Sequence, residues 1–442
     1  MKAARWLVLG CSVGLFAACS ASDGKKVDRG AAGEAGESNA GGETGAGGSG
    51  GAAGAGDAGG GVGGEGGEGA EAGRGGGGDE GGAAGMSGAG GAGGAQGDGS
   101  EQVEEGPPGS VGNPCTEEGA CDSDLVCAES FYCQPTESDL PPEIVQAVPL
   151  PNSADIPSQA PIVLFADGTY DNVQFAVMAY TINGSQDITA QVSVVKLTSA
   201  AGNNVFVLAA KGGLPLGASV VVTISGDIEG TVVFNVDHAS PPFADGALDF
   251  EGATPPAECA SEVEGSELPL GWTGFGDVAV LPETGTLVPS SGSRQLAMST
   301  GDLLCGSALG ATSSMLVSGP IRNLGASPAL ELDYNFQSSE FDDYCNDDFD
   351  DTLIGVLSGP KGAVATVIDS VNLVCDRAKH SAGTFPGTPD GGDEVYKETG
   401  NLTFELEGQV GSPAVLAFVL TDVGDTALSS LVSIDNIRLA KP

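Results

Sequence analysis

The chain has 442 residues, a formal net charge of −44 and 74 glycines, and aromatic residues make up 5% of it. This acidity argues against nucleic-acid binding, because that affinity comes from Lys and Arg side chains that neutralise phosphates. It also argues against docking on anionic lipid through a basic patch. It favours solubility outside the cell and the attraction of divalent cations.

The N-terminus has the pattern of a secretory signal. Two basic residues precede an apolar run from Trp6 to Phe16, which is shorter than the roughly 20 residues that a membrane-spanning helix needs. Two alanines then precede Cys19, and Ser20 follows it. This stretch resembles the lipobox of bacterial lipoproteins. The resemblance implies a signal peptide over residues 1–18, a lipid anchor on Cys19 and sorting to the outer membrane. The alternative is an ordinary secretory signal in which Cys19 has no role.

Residues 19–112 are dominated by Gly, Ala, Glu and Asp, with almost no large apolar side chains. Such a segment buries too little apolar surface to offset the entropy lost on ordering. We therefore predict a disordered acidic tether, with an end-to-end distance on the order of 50–60 Å for about 90 residues. It is interpreted as a spacer from the membrane, or as a linker with no particular length requirement.

Eight cysteines remain after the signal and Cys19, and they form two groups of four, the even count expected of disulfides in an oxidising compartment. The first group is Cys115, Cys121, Cys127 and Cys133, and the second is Cys259, Cys305, Cys345 and Cys375. In the second group we expect the pairs Cys259–Cys305 and Cys345–Cys375, because each closes a local loop.

Residues 113–136 form a short four-cysteine module. Five residues separate each cysteine from the next, and the segment is too small to have a core of its own. We predict two disulfides, without a choice among the three possible pairings. Zinc is the alternative, and it is disfavoured because structural zinc sites usually pair ligands two to four residues apart.

Residues 141–238 have the sequence pattern of an all-β sandwich. Short apolar runs alternate with turn residues at strand-plus-turn spacing, and Asn183-Gly184 is a hairpin signal. The opening run Pro141 to Val145 and the later run Leu214 to Ile224 resemble Ig-like domains of the bacterial surface-layer kind. That resemblance implies a spacer or adhesion module without an active site.

Residues 245–442 continue the β pattern. Some ten candidate strands, including the cleanly alternating run Ala329 to Phe336, suit a two-sheet jelly roll. Three stretches (Asp249 to Glu251, Leu270 to Thr273 and Val432 to Leu439) resemble the jelly rolls of carbohydrate-binding and MAM-like modules. That architecture serves many functions, so the resemblance implies the fold more than the activity.

The run from Glu340 to Asp351 is the chemically notable stretch. Carboxylates packed this closely repel one another unless cations neutralise them, and calcium takes six to eight oxygen ligands. The candidate calcium ligands are Asp342, Asp343, Asp347, Asp348, Asp350 and Asp351. The spacing does not fit an EF-hand. The alternative is a solvated acidic loop pinned by Cys345. A second oxygen cluster is also a candidate, from Asp249, Glu251, Asp435 and Asn436.

No catalytic constellation emerges from the sequence. A serine or cysteine hydrolase needs a histidine beside its nucleophile, and His238 and His380 are the two histidines, with no nucleophile motif around any serine. A glycosidase needs only two carboxylates, which are too abundant here to discriminate. We therefore predict a lipid-anchored, non-catalytic surface protein that binds a glycan or another surface protein with the support of calcium. The alternatives are a purely structural envelope protein and a carboxylate-dependent glycan hydrolase.

Overall fold

The structure is a computed structural model that describes residues 102–128, 132–245, 248, 250–251, 268–283, 287–301, 313–325, 327–340, 345, 350–375, 379–383, 396–423 and 429–440. The predicted signal peptide, Cys19 and most of the predicted tether lie outside these residues, as do Cys259 and Cys305. The predicted all-β class is confirmed, since the described elements are strands apart from a one-turn α-helix and a short 3-10 turn. Within these ranges, no helix combines the length and apolar content needed to cross a bilayer.

The cysteine module is a two-stranded hairpin closed by two disulfides. Its strands are β1 (Val126–Cys127) and β2 (Cys133–Gln134). Cys115 pairs with Cys127 and Cys121 pairs with Cys133, each across 12 residues. The two loops interlock, because Cys121 lies inside the first loop and Cys127 inside the second. The predicted disulfides of this segment are confirmed, and no thiolate among these four cysteines is left for zinc.

Residues 102–112, which the composition assigns to the tether, instead pack against the Ig-like sandwich. The Val103 N–H donates to the His238 carbonyl at 2.9 Å. Gly112 has φ of +72°, and a Cβ there would overlap the Gly217 carbonyl oxygen, so the two backbones touch. Only glycine permits this approach. Composition misses the contact because the same residue type serves both flexible chain and close packing.

The Ig-like sandwich consists of two four-stranded antiparallel sheets. The sheet that faces the jelly roll is called the inner Ig-like sheet. It has the order β3-β4-β8-β7, with β3 Ile144–Val148, β4 Ile162–Ala166, β7 Val192–Thr198 and β8 Asn204–Ala210. The outer Ig-like sheet has the order β10-β9-β5-β6, with β5 Val173–Thr181, β6 Gly184–Asp187, β9 Ser219–Gly226 and β10 Gly230–Asn235. The 3-10 turn Thr189–Gln191 leads into β7.

The jelly roll consists of a five-stranded and a seven-stranded antiparallel sheet. The inner jelly-roll sheet has the order β11-β14-β21-β16-β17, with β11 Trp272–Phe275, β14 Ser313–Ser318, β16 Thr352–Gly359, β17 Gly362–Ser370 and β21 Val415–Thr421. The outer jelly-roll sheet has the order β12-β13-β22-β15-β19-β18, and β20 also pairs with β15. Its strands are β12 Asp277–Pro282, β13 Arg294–Ser299, β15 Ala329–Ser338, β18 Lys379–Gly383, β19 Tyr396–Glu398, β20 Leu402–Glu407 and β22 Ser430–Leu439. The one-turn helix α1 (Val371–Val374) follows β17.

The hydrophobic core of the Ig-like sandwich extends onto one face of the jelly roll, whose interior forms a second core. Side chains of β16 alternate between its two faces: Leu353 packs inside the jelly roll, and Ile354 packs with the core of the Ig-like sandwich. The Ig-facing side chains of the inner jelly-roll sheet include Met315, Val356 and Val419. The contact between the inner Ig-like sheet and the inner jelly-roll sheet is called the junction below. Because both inner sheets are covered on both faces, the four sheets form one continuous stack.

Candidate metal centre

Three buried acidic residues meet at one end of the jelly roll. Glu340 follows β15, Asp351 directly precedes β16, and Asp422 directly follows β21. These strands belong to both jelly-roll sheets, and the register pairs Thr352 with Thr421, which places Asp351 and Asp422 side by side. The fold therefore brings together acids that lie up to 82 positions apart in the sequence. Glu340, Asp351 and Asp422 are called the carboxylate cluster below.

The carboxylate cluster is compact and closed to solvent. One carboxylate oxygen from each residue lies within 4.8 Å of the others. Glu340 and Asp351 are 0% exposed, and Asp422 is 4% exposed. Water cannot screen charges at these positions, so mutual repulsion is far stronger than it is on a surface.

Polar groups around Asp351 hold its side chain in this position. The Val423 N–H donates to Asp351 Oδ1 at 3.1 Å, and Thr300 Oγ1 lies 3.5 Å from Asp351 Oδ2. The fully buried hydroxyl of Ser430 faces the same carboxylate without the geometry of a complete hydrogen bond. The site thus offers hydroxyl oxygens beside the carboxylates.

The electrostatics of the cluster require neutralisation. Desolvation by burial raises the pKa of Asp351 well above its usual value, and the negative charges of Glu340 and Asp422 raise it further. Three charged carboxylates at this separation in a dry interior are untenable without protons or a cation. Hard oxygen donors without histidine or thiolate suit calcium, magnesium or manganese better than zinc.

The predicted ligands in the acidic run fall in different places. Asp351 belongs to the carboxylate cluster, whereas the Asp350 carboxylate accepts the N–H groups of Asn372 at 2.9 Å and Ala201 at 3.3 Å. Burial raises the pKa of Asp350, and these donors oppose that shift. The other four candidates, Asp342, Asp343, Asp347 and Asp348, lie outside the described residues. Cys345 forms a disulfide with Cys375 across 30 residues, so the described part of the acidic run is pinned beside α1.

Two members of the cluster are absent from the ligand set that the sequence predicts. Glu340 opens the acidic run but is not among the predicted ligands, and Asp422 lies beyond that run altogether. One signal points to Asp422, which directly follows the strand Val415–Thr421, whose first six residues are all apolar. That signal marks a strand end, but only the sheet order shows which other strand ends lie beside it.

The second predicted oxygen cluster stays a prediction, since only part of it lies in the described residues. The Glu251 carboxylate accepts the N–H groups of Ser293 at 2.7 Å and Arg294 at 3.0 Å, and the Ser293 N–H is the leading reason that its pKa is lowered. Asp435 accepts the N–H of Ser291 at 2.8 Å. Both carboxylates therefore anchor the loop before β13. Asp249, the remaining acid of that set, lies outside the described residues.

Comparisons with known proteins give a limited picture. No protein-family model matches the chain, and a search of curated proteins finds no match. Among solved structures, a cleaved adhesin domain of Lys-gingipain from Porphyromonas gingivalis is 14% identical with a TM-score of 0.26, covering 44% of this chain and 96% of that chain. A second cleaved adhesin domain of Lys-gingipain is 14% identical with a TM-score of 0.25, covering 44% of this chain and 97% of that chain. A carbohydrate-binding module of the β-sandwich superfamily is 9% identical with a TM-score of 0.20, covering 65% of this chain and 94% of that chain. At such TM-scores these likenesses carry no argument about function.

Proposed function

We propose that this chain is a non-catalytic surface binding protein whose jelly roll is held by a calcium ion at the carboxylate cluster. The observation that carries the proposal is the burial of Glu340, Asp351 and Asp422 within 4.8 Å of one another at converging strand ends. A cation there would join both jelly-roll sheets. Its role is therefore structural, because it would hold together the ends of β15, β16 and β21.

The same geometry disfavours the glycan-hydrolase alternative at this site. A glycosidase needs two carboxylates that reach a sugar from a cleft, whereas these three are sealed from solvent. The described imidazole, that of His238, also has a packing role, since its ring lies against Gly217 and its Nε2 is 3.2 Å from the Gly112 carbonyl oxygen. Both observations favour binding over catalysis, with a glycan or another surface protein as the partner.

The test is calorimetric titration of calcium into the mature chain, with melting followed in calcium and in chelator. We expect one tight site and a melting temperature several degrees higher at a calcium concentration about 100 times the Kd, since such binding adds about 2.7 kcal/mol. Glycan screening in calcium-containing buffer then follows. The absence of both heat and a melting shift would refute the calcium site.

Asp422→Asn removes one ligand while preserving the side-chain shape. We expect its calcium affinity to fall by at least about 100-fold, because loss of outer-shell partners alone costs 10–100-fold. Asp187→Asn is the control, since the Asp187 carboxylate accepts the Thr189 N–H at 2.9 Å in the Ig-like sandwich, away from the cluster. That control should lower stability without changing calcium affinity. Equal affinity in both variants would contradict the assignment of Asp422 as a ligand.

The membrane attachment rests on the lipobox-like stretch and Cys19. We expect Cys19→Ser to move the protein from the membrane fraction to the soluble fraction and to abolish incorporation of a labelled fatty acid. Cys11→Ser is the control, because Cys11 leaves with the predicted signal peptide. Retained fatty-acid labelling in the Cys19 variant would refute the anchor and favour an ordinary secretory signal.

A further inference from the structure

Two adjacent aspartates connect the carboxylate cluster to the junction. Asp351 contributes its side chain to the cluster, while Asp350 accepts the N–H of Ala201 at 3.3 Å and that of Asn372 at 2.9 Å. Ala201 lies in the turn between β7 and β8 of the Ig-like sandwich, and Asn372 lies in α1 of the jelly roll. Asp350 is 1% exposed, so the acceptor of this bridge between the sandwiches is buried, while the donor residues Ala201 and Asn372 are half-buried.

A second pair of neighbours repeats the connection. Asp422 belongs to the cluster, and the next residue, Val423, donates its N–H to Asp351 Oδ1. The Val423 side chain packs into the core of the Ig-like sandwich. Val423 and Asp350 also line one small gap of about 10 Å³ together with Phe165 and Val205 of the Ig-like sandwich. The junction is therefore closely packed where both chain segments leave the cluster.

A single peptide bond separates the cluster from the junction in each segment, between Asp350 and Asp351 and between Asp422 and Val423. Without a cation, Glu340, Asp351 and Asp422 relieve their repulsion by separating or by taking up protons. Separation moves the backbone at residues 351 and 422, and so displaces Asp350 and Val423. A packed interior with little free volume does not absorb such shifts locally. The hydrogen bond from the Ala201 N–H is the first to break, because at 3.3 Å it is already longer than the 2.9 Å bond from Asn372.

We propose that a cation at the carboxylate cluster fixes the junction, so that cation occupancy sets how firmly the Ig-like sandwich is held to the jelly roll. This inference rests on the cation site proposed above and adds its regulatory consequence. By linkage, a closed junction raises cation affinity by the same factor by which the cation closes the junction. The two sandwiches would be rigidly joined in a calcium-rich medium and more loosely joined when calcium is scarce.

The test is residue-resolved hydrogen–deuterium exchange of the mature chain in calcium and in EGTA. We expect the Ala201 amide to exchange at least about tenfold more slowly in calcium, because its bond to Asp350 persists. The internal control is the Val222 amide in the outer Ig-like sheet, which pairs with β5 and β10 away from the junction. Its exchange should be unchanged between the two buffers.

Asp350→Asn separates cation binding from coupling. The neutral amide offers a single acceptor oxygen, so the side chain can no longer accept from both Asn372 and Ala201, and the bridge between the sandwiches is lost. We expect calcium affinity within about tenfold of the wild type, with Ala201 exchange no longer sensitive to calcium. Asp171→Asn, at an exposed position of the same sandwich, is the matched control and should behave as wild type.

The wild-type measurement decides the inference even if the Asp350 variant folds poorly. Calcium binding by calorimetry without a change at Ala201 would overturn the coupling and leave the cation site standing. No binding of calcium, magnesium or manganese would overturn the cation site and the coupling together. Tight binding with selective protection of Ala201 supports both.

Discussion

At the residue scale, the acids of this chain differ in what surrounds them. Glu251 accepts two backbone N–H groups and a hydroxyl, which lower its pKa. Asp351 accepts one backbone N–H and, at 3.5 Å, the Thr300 hydroxyl, but it faces two further carboxylates in a buried site, and burial raises its pKa. A carboxylate supplied with donors is satisfied by the protein alone. One that faces other acids away from water needs a proton or a cation.

This contrast predicts an unusual pH dependence of the melting temperature when calcium has been removed. Because the pKa of Asp351 is raised above the value of about 3.9 expected in the unfolded chain, the folded state binds more protons between those two values. This contribution to stability is present at low pH and is lost as pH rises through the folded pKa. We expect the melting temperature of the calcium-depleted protein to be higher at pH 5 than at pH 7.5, and saturating calcium to remove or reverse the difference.

Asp351→Asn checks the cause. Removing one charge from the cluster should raise the melting temperature in chelator at pH 7.5 and flatten its pH dependence, while abolishing tight calcium binding. A variant that melts lower than the wild type in chelator at pH 7.5 would show that the hydrogen bonds lost with the carboxylate outweigh the repulsion relieved.

At the element scale, the cluster depends on how strand ends are held. The Cys345–Cys375 disulfide ties the acidic run, between β15 and β16, to the end of α1. In the chain-entropy account, a disulfide across 30 residues stabilises by roughly 3–4 kcal/mol. It therefore restricts the segment that carries Asp351 before any cation binds.

Replacing both Cys345 and Cys375 by serine should lower the melting temperature and also weaken calcium binding, because Asp351 loses its preset position. The control is the pair Cys115→Ser and Cys127→Ser, which opens the cysteine module and should leave calcium affinity unchanged. Calorimetry on both double variants makes the comparison. Equal calcium affinities would separate the disulfide from the site.

The local sequence pattern predicts individual strands, but it does not predict the carboxylate cluster. The strand predicted over Ala329 to Phe336 falls within β15, and the hairpin signal Asn183-Gly184 lies where the chain turns from β5 into β6. The first relies on alternation of apolar and polar residues, and the second on turn residues. The carboxylate cluster instead depends on β16 pairing with β21 across more than 60 residues. The sequence of either strand does not indicate which other strand it pairs with.

At the scale of the whole molecule, the core that extends from the Ig-like sandwich onto the jelly roll joins what the sequence presents as separate modules. The runs Leu353 to Leu357 and Val415 to Leu420 are apolar without alternation. That pattern is typical of strands buried on both faces. The pattern indicates that the inner jelly-roll sheet is covered on both faces. It does not indicate which part of the chain covers the second face.

Adjacent residues of β16 allow a matched test of this extended core. Leu353 and Ile354 are both 0% exposed, and they face the jelly-roll interior and the junction, respectively. Each substitution to alanine should cost about 2–5 kcal/mol. Calorimetry should show a single transition for the wild type and for Leu353→Ala, and two separated transitions for Ile354→Ala. A single transition in all three proteins would show that the junction does not set cooperativity.

The stack of four sheets also bears on how such a chain is inherited. Independently folded domains joined by linkers can be duplicated, lost or exchanged by recombination, because each presents a polar surface to water. Here either sandwich alone would expose the apolar face of its inner sheet, including Phe165 on one side and Ile354 and Val419 on the other. Exposed patches of that kind promote aggregation. Recombination that separates the two sandwiches should therefore be selected against, and the pair should be transmitted as a single genetic unit.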